Sequence, residues 1–553
     1  MAQQGDNSSI APAPLDEVMA GVTEAVRSGN LPRATEMART ALARGIVHPL
    51  LLNLRAYWLE ENNRPREALA DLERAVTMAP GDASLHNELG LCLTKFGRWA
   101  DAVSAFEAAV ALHPDFAAAH FNLASARECD GDLAGARSAF ERAQALEPGN
   151  PEPLSSLANL AARRGDWETA RMLAESALAA DPKQHLAMTI LASASVATGE
   201  FANAELLTRS ALDDPSLPPV HRTMLLTIKG DLRHAETHYG EAFAAYTEAN
   251  ALRRRLFADN YAAPGRETAA TFTQWLTEYF EQAPAEAWSV AGKPAPKGPG
   301  VKSHVFLIGF ARSGTTLLES ILASHPAVEA LGERDILAAA NREYLSNDKG
   351  LDRLAAADDT QLAPFRENYW KLVAQHCGDV AGKVFVDKRP LGTLRLGLIA
   401  KLFPDAKILF AIRDPRDVML SCYRRQFLLN PSMYEFLELR GAARFYSTMM
   451  RLAAICRQKF GQPWLETRHE SLIADFDAEI RKIFDFVGVA WNDDVRDFAE
   501  KAKSRLITTP SSTQVIRGLN REGVDQWRHY REQLAPVLPT LRPWIEKFGY
   551  TPY

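Results

Sequence analysis

A spacing of 34 residues runs through the first half of the chain and leaves few folds open to it. Prolines stand at Pro80, Pro114, Pro148 and Pro182, and small turn formers at Asn63, Gly97, Gly131, Gly165 and Gly199. Alanines follow five positions later, at Ala68, Ala102, Ala136, Ala170 and Ala204. Three series in step at one period predict a stack of small repeated units rather than one globular core. In the unit from Ala83 to Pro114, Leu85, Leu89, Leu93 and Phe96 make one stripe, and Ala102, Val103, Phe106, Ala109 and Val110 a second. Spacings of three and four put each set on one helical face. Each unit therefore reads as two antiparallel helices. Glycine permits the turn between them, alanine lets them approach, and proline stops the second.

This pattern resembles the tetratricopeptide repeat over roughly residues 48–215. Degenerate units flank the match, one from Leu15 to about Ile46 and one containing GEAFAAYTEANAL, where Gly240 and Ala244 echo the pattern loosely. The resemblance implies an α-helical solenoid with a concave groove for a protein or peptide partner. A rigid spacer or a homodimerisation arm is the alternative. A further helix is expected from about Arg266 to Ala287, and SVAGKPAPKGPG after it reads as an exposed linker. The expected division is a disordered tail over 1–14, repeats over 15–261, a connecting helix and linker over 262–300, and a second domain over 301–553.

Charge narrows the class of partner. The 553 residues carry a net charge of −6, which argues against a general nucleic-acid binder. Residues 301–553 hold 36 Lys+Arg against 31 Asp+Glu, and residues 1–300 hold 27 against 38, so the second half is mildly basic and the first acidic. The five cysteines show no C-x-x-C pairing or metal spacing, and reduced thiols in a cytoplasmic protein are the plain reading. The start, MAQQGDNSSIAPAP, has neither a basic region nor an apolar one, and no run of about 18 apolar residues occurs, so neither a signal peptide nor a membrane span is expected.

The second half carries a phosphate-binding pattern. VFLIGF at 305–310 suits a buried parallel strand, ARSGTT follows, and LLESILASH has helical spacing. Strand, glycine loop and helix N-terminus make an anion site, because free backbone N–H groups and the helix dipole converge there. Arg312, Ser313, Gly314, Thr315 and Thr316 are its candidate residues. A nucleotide triphosphatase would need G-K-[ST], but Gly314-Thr315-Thr316 lacks the lysine, and Arg312 supplies the charge instead. A second block begins with the strand KILFAI and continues as RDPRDVMLSCYRR. Arg413 would sit at the strand's C-terminal end, and Ser421 and Arg425, four apart, would share a helical face and converge with it on a second phosphate.

Together the two blocks resemble the sulfotransferase family, and RDPRDVMLS fits its R-[ND]-P-[KR]-D-x-x-x-S block fully. The resemblance is closest to tyrosylprotein sulfotransferases and covers most of residues 303–553. It implies an α/β P-loop-like domain with a central parallel sheet, binding 3′-phosphoadenylyl sulfate, with adenosine 3′,5′-bisphosphate as product and no metal. The loop would hold the 5′-phosphosulfate, while Arg413, Ser421 and Arg425 would hold the 3′-phosphate. The family's catalytic glutamate falls on Glu333, its K-D-P lysine on Lys388, and its active-site serine on Ser511 within SSTQVIRGLN, which also brings Arg517 to the cofactor. Glu333 would be the general base, with Lys388, Arg312 and Ser511 stabilising the transferred group. His469 stands near a family tyrosine that touches the adenosine. Asp335 occupies a position where the animal enzymes carry a basic residue. The implied activity is sulfuryl transfer to an acceptor hydroxyl, on a protein tyrosine brought by the repeats or on a carbohydrate, lipid or small molecule.

Overall fold

The computed structural model describes residues 15–292, 298–504, 515 and 517–551. The tail expected over 1–14, the middle of the expected linker and Ser511 lie outside them. Compactness divides the chain into two units, residues 1–160 with 169–187 and residues 161–168 with 188–553.

The first unit is built from helix pairs such as Pro49–Glu61 with Pro65–Met78, Ala83–Lys95 with Trp99–Leu112, and Ala117–Asp130 with Leu133–Leu146. The expected degenerate first unit is also a pair, Leu15–Arg27 with Leu31–Ala43. All five turn residues of the 34-residue series have positive φ, from 57° at Asn63 to 91° at Gly131. That conformation is cheap for glycine and tolerable for asparagine, so the period is a steric requirement. Ala68, Ala102, Ala136 and Ala170 are fully buried where paired helices meet. At Gly90 the approach is closer still, since a Cβ there would lie 2.6 Å from the Phe106 ring.

The second unit contains another helix hairpin, Pro219–Ala235 with Tyr239–Leu256. It repeats the same packing device sixteen residues apart, because a Cβ on Gly230 would lie 2.4 Å from the Tyr246 ring. The helix Ala269–Gln282 follows, started by a Thr268 capping box, and then the short helix Ala285–Trp288.

The unit's centre is a parallel sheet of β1 (Ser303–Gly309), β2 (Val328–Leu331), β3 (Val384–Pro390), β4 (Lys407–Ile412) and β5 (Trp464–Arg468). The strand order is β2-β3-β1-β4-β5. Side chains alternate between two cores, as a sheet covered on both faces requires. Phe306, Ile308, Phe385, Ile408 and Phe410 face one side; Val305, Leu307, Val384, Val386, Leu409 and Ala411 face the other. Gly309 pairs with Ala411, so the loops leaving β1 and β4 emerge side by side at the C-terminal edge, where such sheets bind ligands.

The stretch expected as an exposed linker starts inside the core. Trp288 and Val290 are buried with Phe280 and Phe460, and the Val290 N–H donates to the Phe460 carbonyl at 2.8 Å. Local Pro, Gly and Lys content suggested solvent, but two apolar anchors outweigh it. Tyr246 and Ala242 belong to the same apolar cluster as Phe306 and Ile308, so this core runs from the helix hairpin to the sheet without a break.

Candidate anion pocket and active site

Residues 310–314 turn from β1 into the loop helix Thr315–Ala323, with Gly314 as its N-cap at φ 95°. Arg312 also has positive φ, 67°, an unusual conformation for a long side chain and one found at ligand sites. Its Nε donates to Ser421 Oγ at 2.9 Å, joining the first block to the helix Pro415–Arg424 of the second. Arg413, leaving β4, donates from Nη1 to the Arg312 carbonyl at 3.1 Å and from Nη2 to the Gly523 carbonyl.

These contacts border a pocket lined by Arg312, Gly314, Thr316, Arg413, His469, Val515, Gly518, Asn520 and Gly523, together with Leu317. Among the described residues, no carboxylate lines it. The nearby acids are engaged elsewhere: Asp414 pairs with Arg416 at 2.7 Å, and Asp417 accepts the backbone N–H groups of Asp525 and Trp527 at 2.8 Å each. Burial, then Arg425 and Arg413, push the Arg312 guanidinium below its ordinary value. Burial, Arg413 and Arg312 push His469 down to about 3, so it stands neutral in the pocket wall. Arg413 Nε and His469 Nδ1 are buried with no hydrogen-bond partner among the described residues. Converging cations and an orphaned donor, with no described acid between them, constitute a demand for an anion.

Glycine makes room for it. A Cβ on Gly314 would lie 3.0 Å from His469 Nδ1, and one on Gly523 would lie 2.9 Å from Arg413 Nη2. The expected phosphate loop is thus a cradle whose floor is backbone, with Ser313, Thr315 and Thr316 buried around it.

Beside this pocket, Lys388 on β3 forms a second cluster. Its Nζ lies 2.8 Å from Glu333 Oε1 and 3.0 Å from Glu319 Oε2. Burial opposes the lysine's charge, but the two carboxylates outweigh it and hold Lys388 above its ordinary value. Glu319 lies three residues beyond Thr316 on the loop helix, a rise of about 4.5 Å, so the anion pocket and the Lys388 cluster are joined by one helical turn. Glu319 was not singled out from sequence. Its position one turn into the helix after the loop was the available signal.

The next residue back on β3, Asp387, faces the other core. It accepts from Tyr369 Oη at 3.0 Å, Tyr369 Oη lies 2.8 Å from His304 Nε2, and burial raises the carboxyl to about 6. Asp335 pairs with Arg395 at 2.9 Å and with Arg389 at 3.7 Å.

Two sequence expectations meet a different geometry. Arg425 does not share a helical face with Ser421, because the helix ends at Arg424 and Arg425 is extended, its Nη1 3.8 Å from Asp231. Arg517 is exposed and pairs with Glu522 at 3.3 Å instead of lining the pocket.

Residues 304–493 match the sulfotransferase family, and residues 19–151 and 130–187 match tetratricopeptide repeats in overlapping segments. The chain therefore carries a tetratricopeptide-repeat solenoid followed by a sulfotransferase-family domain with a central parallel sheet. Among its relatives are an uncharacterized protein of Aquifex aeolicus, 26% identical over 61% of this chain and 43% of that protein, and the protein-tyrosine sulfotransferase of Drosophila melanogaster, 27% identical over 45% of this chain and 52% of that protein. The protein-tyrosine sulfotransferase 2 of Gallus gallus is 24% identical over 45% of this chain and 70% of its own. The chain spans about half the length of the first two relatives. A tetratricopeptide repeat protein of Parabacteroides merdae covers 43% of this chain and 93% of its own at 15% identity and a TM-score of 0.35. Among the described residues, no helix is long and apolar enough to cross a membrane.

Proposed function

We propose that the protein transfers a sulfuryl group from 3′-phosphoadenylyl sulfate to an acceptor hydroxyl. The observation that carries this reading is the single helical turn joining the carboxylate-free pocket of Arg312, Arg413 and His469 to the Lys388–Glu333 pair. When bound, 3′-phosphoadenylyl sulfate supplies the activated sulfuryl group. The 312–316 loop holds the 5′ end through backbone N–H groups and the Arg312 charge. Arg413 and Ser421 hold the 3′-phosphate, and His469, neutral and buried, packs against the base.

Glu333 Oε1 takes the acceptor's hydroxyl proton as the new S–O bond forms, because a free hydroxyl is a poor nucleophile. Lys388 stays charged between its carboxylates and neutralises the oxygen from which the sulfuryl group departs. Ser511, outside the described residues, adds a hydrogen bond to the same oxygens.

The repeat solenoid recruits the acceptor, which on this reading is a protein and the modified group a tyrosine. Asp335 already occupies Arg389 and Arg395, and the first 300 residues are acidic, so the preferred segment is neutral or basic. The test is incubation of the full chain with sulfur-labelled 3′-phosphoadenylyl sulfate and native cell extract. Label on protein tyrosine is the expected result. Label on carbohydrate, lipid or a small molecule would move the acceptor to that class, and absence of transfer would overturn the reading.

A further inference from the structure

Arg425 belongs to a segment whose backbone is held from behind by the helix hairpin 219–256. Asn250 Nδ2 donates to the Tyr423 carbonyl at 2.8 Å, Arg253 Nη2 to the Phe427 carbonyl at 2.6 Å, and Gln426 Nε2 to the Thr223 carbonyl at 2.7 Å. Tyr261 Oη continues the series to the Leu429 carbonyl at 2.9 Å. The backbone on either side of Arg425 is thereby fixed.

Its side chain is held differently. The Arg425 side chain is 37% exposed, and its contact with Asp231 is an ion pair of 3.8 Å, near the limit of such contacts and too long for a hydrogen bond. Asp231 lies on the helix Pro219–Ala235, accepts from Tyr246 Oη at 2.7 Å and sits 3.6 Å from Arg424. Arg424 has further support from the Tyr246 and Tyr530 rings. Arg425 therefore has a rigid base and a loosely paired head, and it lies four residues beyond Ser421, whose Oγ accepts from Arg312 Nε at 2.9 Å beside the pocket. Its charge is among the causes that depress Arg312.

We propose that Asp231 competes with the pocket's anion for Arg425, so that the hairpin carrying Asp231 sets how tightly the nucleotide is held. This rests on the reading of the pocket as a site for a nucleotide bisphosphate. With Arg425 on Asp231 the pocket keeps Arg312 and Arg413 and the nucleotide leaves readily. With Arg425 turned to the phosphate, Asp231 retains Arg424 and the Tyr246 hydroxyl. The carboxylate thus acts through Arg425, as a positioning residue that lowers affinity.

The sign separates this from a structural role. Loss of a purely structural carboxylate loosens the 423–429 segment and weakens binding, whereas loss of a competitor strengthens it. In the full-length protein, titration calorimetry with adenosine 3′,5′-bisphosphate should show Asp231→Asn, which keeps an acceptor for Tyr246, binding roughly two- to fivefold tighter than wild type, the range of one exposed ion pair. In an Arg425→Ala background the same substitution should change nothing. Asp231→Glu, reaching one methylene nearer to Arg425, should bind more weakly and provides a second variant if the asparagine protein does not fold. Equal or weaker binding by Asp231→Asn, tightening that persists without Arg425, or unweakened binding by Asp231→Glu overturns the proposal. A wild type that fails to bind the bisphosphate overturns the pocket reading instead, and this inference with it.

Discussion

Lys388 Nζ lies 2.8 Å from Glu333 Oε1, a fully buried cation against a carboxylate whose side chain keeps 38% of its surface in solvent. The exposed partner is the one an acceptor can reach, and the buried one cannot leave. Glu333→Gln should therefore keep nucleotide binding and lose transfer of labelled sulfur by roughly 10²–10⁴-fold. Near-normal transfer would move the general base elsewhere, with Glu319 the nearest carboxylate on the same lysine.

On the proposed reading, Arg413 reads the phosphate that distinguishes adenosine 3′,5′-bisphosphate from AMP. Arg413→Ala should weaken the bisphosphate by ~1.5–3 kcal/mol, the scale for a hydrogen bond to a charged group. AMP binding should change much less. Calorimetry with both nucleotides checks this, and an equal loss for the two would remove the 3′-phosphate from Arg413.

Trp288 is completely buried against Phe280 and Phe460, ahead of the first strand. Trp288→Ala should cost about 3–5 kcal/mol of stability, as large aromatic truncations in cores do. A chain begun near Val301 should lack a cooperative unfolding transition. Denaturant unfolding followed by tryptophan fluorescence tests both, and a cooperative transition from the 301 start would show that the helices ahead of the sheet are dispensable.

Asp387 gives stability a pH dependence. Burial raises its carboxyl to about 6, above the ordinary aspartate value, so the folded state holds the proton more tightly than the unfolded chain. That contribution is complete below the unfolded value near ~3.9 and is lost as pH rises through about 6. Asp387→Asn removes it. Each tenfold gain in proton affinity on folding is worth about 1.4 kcal/mol, so the stability difference between wild type and variant should move against the wild type by about 3 kcal/mol from about pH 3.5 to about pH 7. Thermal unfolding across that range should show the change, and parallel curves would mean that Asp387 does not titrate there.

Much of this was legible in the residues. The 34-residue turn series marked positions with positive φ, and VFLIGF and KILFAI marked β1 and β4, because chirality and burial are written locally. Arg312, Gly314, Thr316 and Arg413 meet at one pocket because each follows a strand at the same sheet edge. Arg425 was misread because periodicity continues a helix until something stops it, and here the stop comes from Asn250 and Arg253, more than 170 positions away in sequence. Glu319 was missed because one acid in an apolar helix carries no mark of the lysine it will meet. Composition made the 289–300 stretch look solvated, while Phe460, the partner that Trp288 and Val290 share, was too distant in sequence to be seen.

The close approach of Gly230 to Tyr246 makes the hairpin 219–256 look like one more copy of a modular unit, yet its Ala242 and Tyr246 belong to the core of the sheet domain. A seam chosen where the sequence is loosest, at the proline- and glycine-rich stretch, would cut through a shared interior. Any rearrangement that moved this sulfotransferase-family domain to another chain would have to carry the hairpin along, breaking upstream of Pro219. Related proteins that exchange their leading repeats should therefore inherit this hairpin with the sheet domain, its Asp231 position travelling with that domain rather than with the solenoid it resembles.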